Sequence, residues 1–170
     1  TVYGLTRKIE IGTNFYFNRS GEPSYKEFQA NAKWQVYQNE KRGFAIASGT
    51  QVYVPLRDKS GQKPVTMVYS NASKIVPKTN GLRLTGGYYT MVGAKSDFGT
   101  RQGAMVAVEQ PIYNRLNFIA DWYSGKNRFG NSFGGFSLSV TKKQTLFAGY
   151  NFGNFGRANN SFGFAYGVNY

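Results

Sequence analysis

Large apolar side chains recur at every second residue along most of this chain. In the last ten residues, SFGFAYGVNY at 161–170, Phe162, Phe164 and Tyr166 alternate with glycine and alanine. Successive side chains of a β-strand point to opposite faces, so this segment has one apolar face and one small, hydrophilic face. About ten segments of the chain show this period, which predicts an all-β fold.

We place the ends of these ten predicted strands within about three residues. They lie near 6–18, 25–38, 43–56, 65–76, 81–94, 103–112, 116–125, 132–140, 145–153 and 161–170. The parity of 65–76 is ambiguous, and we favour the alternative that turns Lys74 inward.

The connections between these strands alternate in kind. RSGEPS, RDKSGQKP, KSDFGTR, GKNRFGN and GNFGRANN are longer and charged or glycine-rich, whereas NEKRG, PKTNG, YNR and TKK are tight turns. This alternation predicts an up-and-down antiparallel meander of even strand number with both termini at the turn end. Because an open sheet of this size would leave two exposed edges, we expect residues 1–170 to form one closed barrel of about ten strands.

Composition excludes several kinds of site. The chain has no cysteine and no histidine, which excludes disulfides and thiolate metal sites and removes the commonest catalytic base. Glu109 and Asp121 could be read as a catalytic carboxylate pair, but a structural salt-bridge cluster is the favoured interpretation. We therefore expect no enzyme activity, no cofactor and no metal. The net charge of +13 predicts attraction to polyanions.

The apolar face could be an inward-facing soluble core or an outward-facing membrane surface. The opposite face is rich in Gly, Ala, Ser, Thr, Asn and Tyr, which is typical of a lumen, and charges are nearly absent from the apolar parity. Aromatic residues concentrate near strand ends, where a membrane girdle would lie. We therefore predict a transmembrane barrel whose lipid-facing residues include Phe15, Phe17, Trp34, Trp122, Phe162, Phe164, Tyr166 and Tyr170.

With its alternating strands, short turns and longer loops, the chain resembles the bacterial outer-membrane β-barrel proteins. The last strand, FGFAYGVNY, is similar to the C-terminal strand that carries the insertion signal in that family, although Tyr170 replaces the usual terminal Phe. The resemblance implies a location in the outer membrane with periplasmic termini. It carries no catalytic residues across, because the ten-stranded outer-membrane proteases use a histidine that this chain lacks.

Charged residues of the inward parity lie near the predicted turn end. We expect four bases and three acids to form an interlocking network that narrows the lumen, with Arg83 and Glu109 as its central pair. The predicted network comprises Lys8, Glu10, Lys33, Lys74, Arg83, Glu109 and Asp121.

The predicted loops carry an excess of basic residues that could bind lipopolysaccharide phosphates. The polyanion-facing candidates are Arg57, Lys59, Lys63, Lys126 and Arg128.

The predicted partners are membrane lipid and, in an envelope assembly, other proteins. We expect no binding to nucleic acid. The predicted function is a porin-like narrow channel or a membrane scaffold. The alternatives are an anchoring subunit of a cell-surface assembly and a soluble ligand-binding barrel.

Overall fold

The computed structural model describes residues 1–17, 26–56, 63–156 and 160–170. These residues form one sheet of eleven strands in chain order, and consecutive strands pair antiparallel. A 3-10 turn at Ser96–Phe98 interrupts one connection. The strands are β1 (Val2–Gly4), β2 (Ile9–Phe17), β3 (Lys26–Asn39), β4 (Phe44–Pro55), β5 (Val65–Ile75), β6 (Arg83–Val92), β7 (Gln102–Tyr113), β8 (Leu116–Tyr123), β9 (Asn131–Ser139), β10 (Gln144–Gly153) and β11 (Ser161–Val168).

The predicted all-β, up-and-down barrel is confirmed and is nearly closed, but the predicted even strand number is wrong, because the sheet has eleven strands. The ten longer strands, β2 to β11, correspond to the ten segments predicted from the alternation. The additional strand β1 has only three residues, which is too short to show a period. The turns at 5–8, 40–43, 76–82, 114–115 and 140–143 all lie at one end, which we call the turn end. The opposite end is the loop end.

The barrel closes through β1. Val2 forms a parallel bridge with Asn169, and its carbonyl accepts a hydrogen bond from the Tyr170 amide at 2.9 Å. On its other side β1 pairs antiparallel with β2, and Thr1 exchanges two backbone hydrogen bonds with Thr13, at 2.8 and 2.9 Å. The C-terminus therefore lies at the turn end, whereas Thr1 lies beside the middle of β2.

Beside Thr1 two strand edges have no partner among the described residues, and we call this pair of edges the seam. In the described ranges no strand pairs with the free edge of β2 at 14–17, and none pairs with the free edge of β11 at 161–167. Both edges lie in the half of the barrel nearer the loop end.

The best-packed part of the interior lies at the loop end, between β4, β5 and β6. Tyr89 is fully buried, and Tyr53 and Met67 are 7% and 2% exposed. Val65 and Met91 complete this cluster, against which side chains from the loops at 93–101 and 124–130 pack. The core is therefore inside the barrel but on one side of it.

Candidate functional site in the barrel lumen

The outward positions of the strands carry exposed apolar side chains. The predicted lipid-facing residues all fall in this class, with exposed fractions from 39% for Trp122 to 89% for Phe162. Their pairing agrees with the predicted parity: Phe15 is paired with Phe28, and Phe164 with Ala148. The other members are Phe17, Trp34, Tyr166 and Tyr170, which are 69%, 54%, 54% and 67% exposed.

The inward positions carry the carboxylates. All four acidic residues of the strands, Glu10, Glu27, Glu109 and Asp121, lie on this face, and Glu27 is 3% exposed. Gln29, which is 2% exposed, accepts hydrogen bonds from Asn14 Nδ2 at 2.6 Å and from the Tyr16 hydroxyl at 3.0 Å. A network of polar side chains therefore occupies the inner face of β2 and β3.

Two ion pairs join neighbouring strands on the turn side of the lumen. Lys33 Nζ lies 3.0 Å from Glu10 Oε2, and Arg83 Nη1 lies 3.3 Å from Glu109 Oε2. Each pair consists of residues directly opposite in the strand register, which is why the predicted Arg83–Glu109 contact forms. Their side chains are 40–50% exposed, so lumen solvent screens both pairs.

The interlocking network predicted around these pairs is wrong in three members. Lys74 lies on the outward face, opposite Phe44 and Leu84, and its ammonium donates to the carbonyl of Arg42. The parity of β5 is fixed instead by the burial of Val65 and Met67, which outweighs one lysine that can reach water at the strand end.

The other two departures are Lys8 and Asp121. Lys8 is exposed in the turn at 5–8, before β2 begins. Asp121 does face the lumen, but it lies opposite Ala107 and Phe133 and joins none of the ion pairs between described residues. Glu109 is instead paired with Ile119 on β8, and Asp121 lies two residues further along that strand. The register therefore offsets Asp121 from Arg83 and Glu109.

The loop at 124–130 folds into the lumen from the loop end, and we call it the plug loop. Its centre is Asn127, which is 5% exposed and donates through Nδ2 to the Tyr89 hydroxyl at 3.1 Å and to the Thr100 carbonyl at 2.7 Å. The Tyr89 hydroxyl in turn donates to the carbonyl of Ser124. These bonds fix the plug loop to β6 and to the preceding loop.

Arg128 attaches the plug loop to the opposite wall. Its Nη1 lies 2.6 Å from Glu27 Oε2 on β3, and its guanidinium lies 4.4 Å from the ring centre of Phe129 and 5.7 Å from that of Tyr53. The side chains of Glu27 and Arg128 are 4% and 22% exposed. Because a carboxylate so buried requires a cation, Arg128 points inward, and its predicted placement on a polyanion-facing surface is wrong.

The remaining basic loop candidates divide into two groups. Lys63 and Lys126 are exposed at the loop end and line the mouth of the lumen. Arg57 and Lys59 lie outside the described residues.

A large cavity of about 1920 Å³ lies at the loop end of the lumen, between the Glu27–Arg128 pair and the strands β10 and β11. It is lined by residues of both faces of β11, from Phe162 to Gly167, as well as by Thr1 and by Phe15 of β2. A second cavity, of about 260 Å³, lies among polar and aromatic side chains that include Asn14, Gln51 and Tyr123.

Three glycines form a flat strip on the inner face of β9, β10 and β11, and Gly163 lines the larger cavity. Gly135, Gly149 and Gly163 lie directly opposite one another on β9, β10 and β11. The ring of Phe133 covers them: a Cβ on Gly135 would lie 2.9 Å from Phe133 Cζ, and one on Gly163 would lie 3.5 Å from Phe133 Cε2. Below the strip, Phe147 lies opposite Ala165. We call this strip with Phe133 and Phe147 the glycine wall.

Sequence reasoning did not find the Glu27–Arg128 pair, the glycine wall or the seam. The glycines do recur every fourteen residues, from 135 through 149 to 163. That spacing would have placed them side by side only if the lengths of the intervening turn and loop had been known. The inward fold of the plug loop has no periodic signal in the sequence.

In the described part of the chain no three acidic, histidine or cysteine side chains are grouped so that they could hold a metal ion. The same residues include no helix with the length and hydropathy of a membrane span. No protein-family model matches the chain, and neither does any curated protein or solved structure.

Proposed function

We propose that this protein spans a lipid bilayer as a bacterial outer-membrane β-barrel and provides a narrow, partly plugged passage through it. The distribution of charge on the strands carries this proposal. Every strand carboxylate lies on the inward face, whereas the outward face presents exposed aromatic and aliphatic side chains. In water this arrangement would leave apolar surface exposed around the barrel, and in lipid the same surface is solvated.

The outward basic residues of the strands agree with this placement. They are Lys26, the first residue of β3, and Lys74, the last but one of β5. A lysine in the middle of a lipid-facing strand costs roughly 2–4 kcal/mol, whereas one at the membrane interface costs little. Lys26 lies over the ring of Phe17, with Nζ 5.7 Å from its centre, as an interfacial aromatic and a headgroup-facing amine would be arranged.

The soluble alternative requires the opposite orientation. A soluble ligand-binding barrel would turn its aromatic face inward, but Phe162 and Phe164 are 89% and 76% exposed on the outside. The inner face instead carries glutamines, asparagines and charged groups on β2, β3 and β7. This polarity supports the membrane barrel over the soluble one.

The interior supports a narrow passage. The plug loop and the side chains around Tyr89 fill one side, and the two ion pairs extend across strands nearer the turn end. Water and small solutes would pass through the cavity of about 1920 Å³, which the plug loop borders on one side and β10 and β11 border on the other. Exposed Lys63 and Lys126 at the mouth would favour anions, including lipopolysaccharide phosphates in the adjoining leaflet.

Reconstitution into planar bilayers tests the proposal. We expect a small, anion-preferring conductance, measured as a reversal-potential shift in a salt gradient. A protein that is soluble and monomeric without detergent would contradict membrane insertion. A barrel that inserts but stays electrically silent would contradict the passage and favour the scaffold or anchoring function.

A further inference from the structure

The smaller cavity of the lumen, which we call the amide pocket, has an uncharged lining. None of the described residues that line it is charged, although the Glu27–Arg128 and Glu10–Lys33 pairs lie in the same lumen. Because a charge buried without a partner is costly, the pocket favours an uncharged polar ligand. Its lining consists of side-chain amides, aromatic rings and one methionine: Asn14, Gln29, Gln51 and Asn131; Tyr16, Tyr53, Tyr123 and Phe129; and Met67.

Hydrogen bonds within the lining hold its polar side chains in place. The Tyr53 hydroxyl donates to Gln51 Oε1 at 2.6 Å. Gln29 Oε1 accepts the two bonds from Asn14 and Tyr16 that were described above. A phenol that donates can still accept, and an amide whose oxygen accepts still has two N–H donors. The pocket therefore places donors and acceptors side by side, an arrangement that matches hydroxyl groups, since each hydroxyl both donates and accepts.

Aromatic rings supply the flat part of the lining. Phe129 of the plug loop packs against Tyr53, with ring centres 4.4 Å apart, and Tyr123 contributes another ring from β8. The face of an aromatic ring is electron-rich and attracts the C–H groups that a pyranose ring presents on its flat sides. Rings and amides together therefore fit a molecule that has C–H faces and a rim of hydroxyl groups.

The amide pocket lies across the lumen, on the turn side of the plug loop. Its lining includes residues of β2, β3, β4 and β5 on one side and of β8 and β9 on the other. Asn14 and Asn131 also line the larger cavity, so the two cavities adjoin. A neutral solute in the larger cavity can therefore reach the pocket, and the positive charge of Lys63 and Lys126 at the mouth does not hold it there.

We propose that the amide pocket binds one neutral monosaccharide in its pyranose form. The sugar places its hydroxyl groups on the amides and a C–H face on the aromatic rings. A cavity of about 150 Å³ holds benzene, so 260 Å³ accommodates one pyranose ring with its hydroxyl groups but not a disaccharide. This inference rests on the proposed function, because it names the class of solute that the passage admits.

Saturation-transfer difference NMR on the full chain in deuterated detergent micelles tests the site. The probes are D-glucose, D-galactose and D-mannose, and we expect at least one of them to give a signal that saturates in the millimolar range. Glucuronate and glucosamine, the charged counterparts of glucose, should bind at least tenfold more weakly, because the lining offers no ion partner. Maltose should bind more weakly as well, because the pocket holds one ring.

A matched pair of variants locates the bound sugar. Asn131→Leu removes an amide from the amide pocket and should weaken binding roughly tenfold. Asn151→Leu makes the same change on the inner face of β10, where the amide lines only the larger cavity, and should leave binding unchanged. Circular dichroism checks that both variants fold. If Asn131→Leu does not fold, the charged sugars and maltose still decide the matter, since they are measured on the unaltered protein.

Two sets of results separate this site from the passage. A barrel that conducts in planar bilayers but gives no saturable signal with any of the three probes would overturn the sugar site and leave the passage. Equal binding of glucose and glucuronate, or equal losses in Asn131→Leu and Asn151→Leu, would also overturn the site. Binding in micelles by a barrel that is electrically silent in bilayers would support the site and contradict the passage.

Discussion

The two sides of the lumen are built from the same strand pattern but differ in what fills them. On β4, β5 and β6 the inward residues include Tyr53, Met67 and Tyr89, which interlock beneath the plug loop. On β9, β10 and β11 they include three aligned glycines, and a cavity of about 1920 Å³ remains. The inward or outward parity of a strand therefore does not determine whether its side of the lumen is filled. The sizes and packing of the inward side chains determine how far it is filled.

The two sides of the lumen should also affect different properties of the protein, namely its free energy of unfolding and the access of solutes to the lumen. The filled side contains the buried hydrogen bonds and the Glu27–Arg128 pair, which together hold the plug loop in place. The open side contains the glycine wall, whose Phe133, Phe147 and Gly163 line the large cavity. Substitutions on the filled side should chiefly change the free energy of unfolding, and those on the open side should chiefly change what enters the lumen.

The largest expected effect is on the filled side. Tyr89→Ala removes a fully buried ring and the hydroxyl that binds Asn127, and should lower the free energy of unfolding by about 4 kcal/mol. Phe147→Ala removes a ring that borders open space and should cost less than half as much. Urea unfolding in micelles, followed by tryptophan fluorescence, measures both. Equal losses would contradict the distinction between the two sides.

The second effect concerns the attachment of the plug loop. Glu27→Gln leaves the Arg128 guanidinium without its carboxylate in a buried setting and should cost about 3 kcal/mol. It should also raise single-channel conductance, because the loop loses its link to β3. Glu10→Gln is the control, since Glu10 also faces the lumen but its ion pair is solvent-exposed. A conductance that changes equally in both variants would show that the plug loop does not obstruct the passage.

The third effect compares two adjacent glycines. A Cβ on Gly135 would meet the backbone of Ala148 and Gly149 as well as Phe133, so Gly135→Ala should cost about 1–3 kcal/mol. A Cβ on Gly134 would meet nothing within 4 Å, so Gly134→Ala should be neutral within about 0.5 kcal/mol. Thermal unfolding of the two variants distinguishes them. If Gly134→Ala is the more harmful, the assigned faces of β9 are reversed.

The sequence predicted the fold better than the site for a physical reason. Period-2 alternation is a local property, and it specified all ten longer strands and their parity except on β5, where Lys74 misled the assignment. The Arg83–Glu109 contact followed from strand adjacency across one loop. Glu27 and Arg128 are 101 residues apart and meet only because a loop folds inward, which no local pattern indicates.

The smallest expected effect is at the predicted centre of the lumen network. Arg83 and Glu109 are 50% and 40% exposed, and Asp121 does not join them in an ion pair, so Arg83→Gln should change the free energy of unfolding by less than about 1 kcal/mol. Whatever effect there is should shrink as salt rises, because screening weakens solvent-exposed pairs. The corresponding change at Arg128, Arg128→Gln, should be larger and nearly independent of salt, since Glu27 is 4% exposed. Unfolding at low and high salt measures both variants. A large, salt-independent loss at Arg83 would show that the turn side of the lumen is as desolvated as the plug, and the contrast between the two ion pairs would then be wrong.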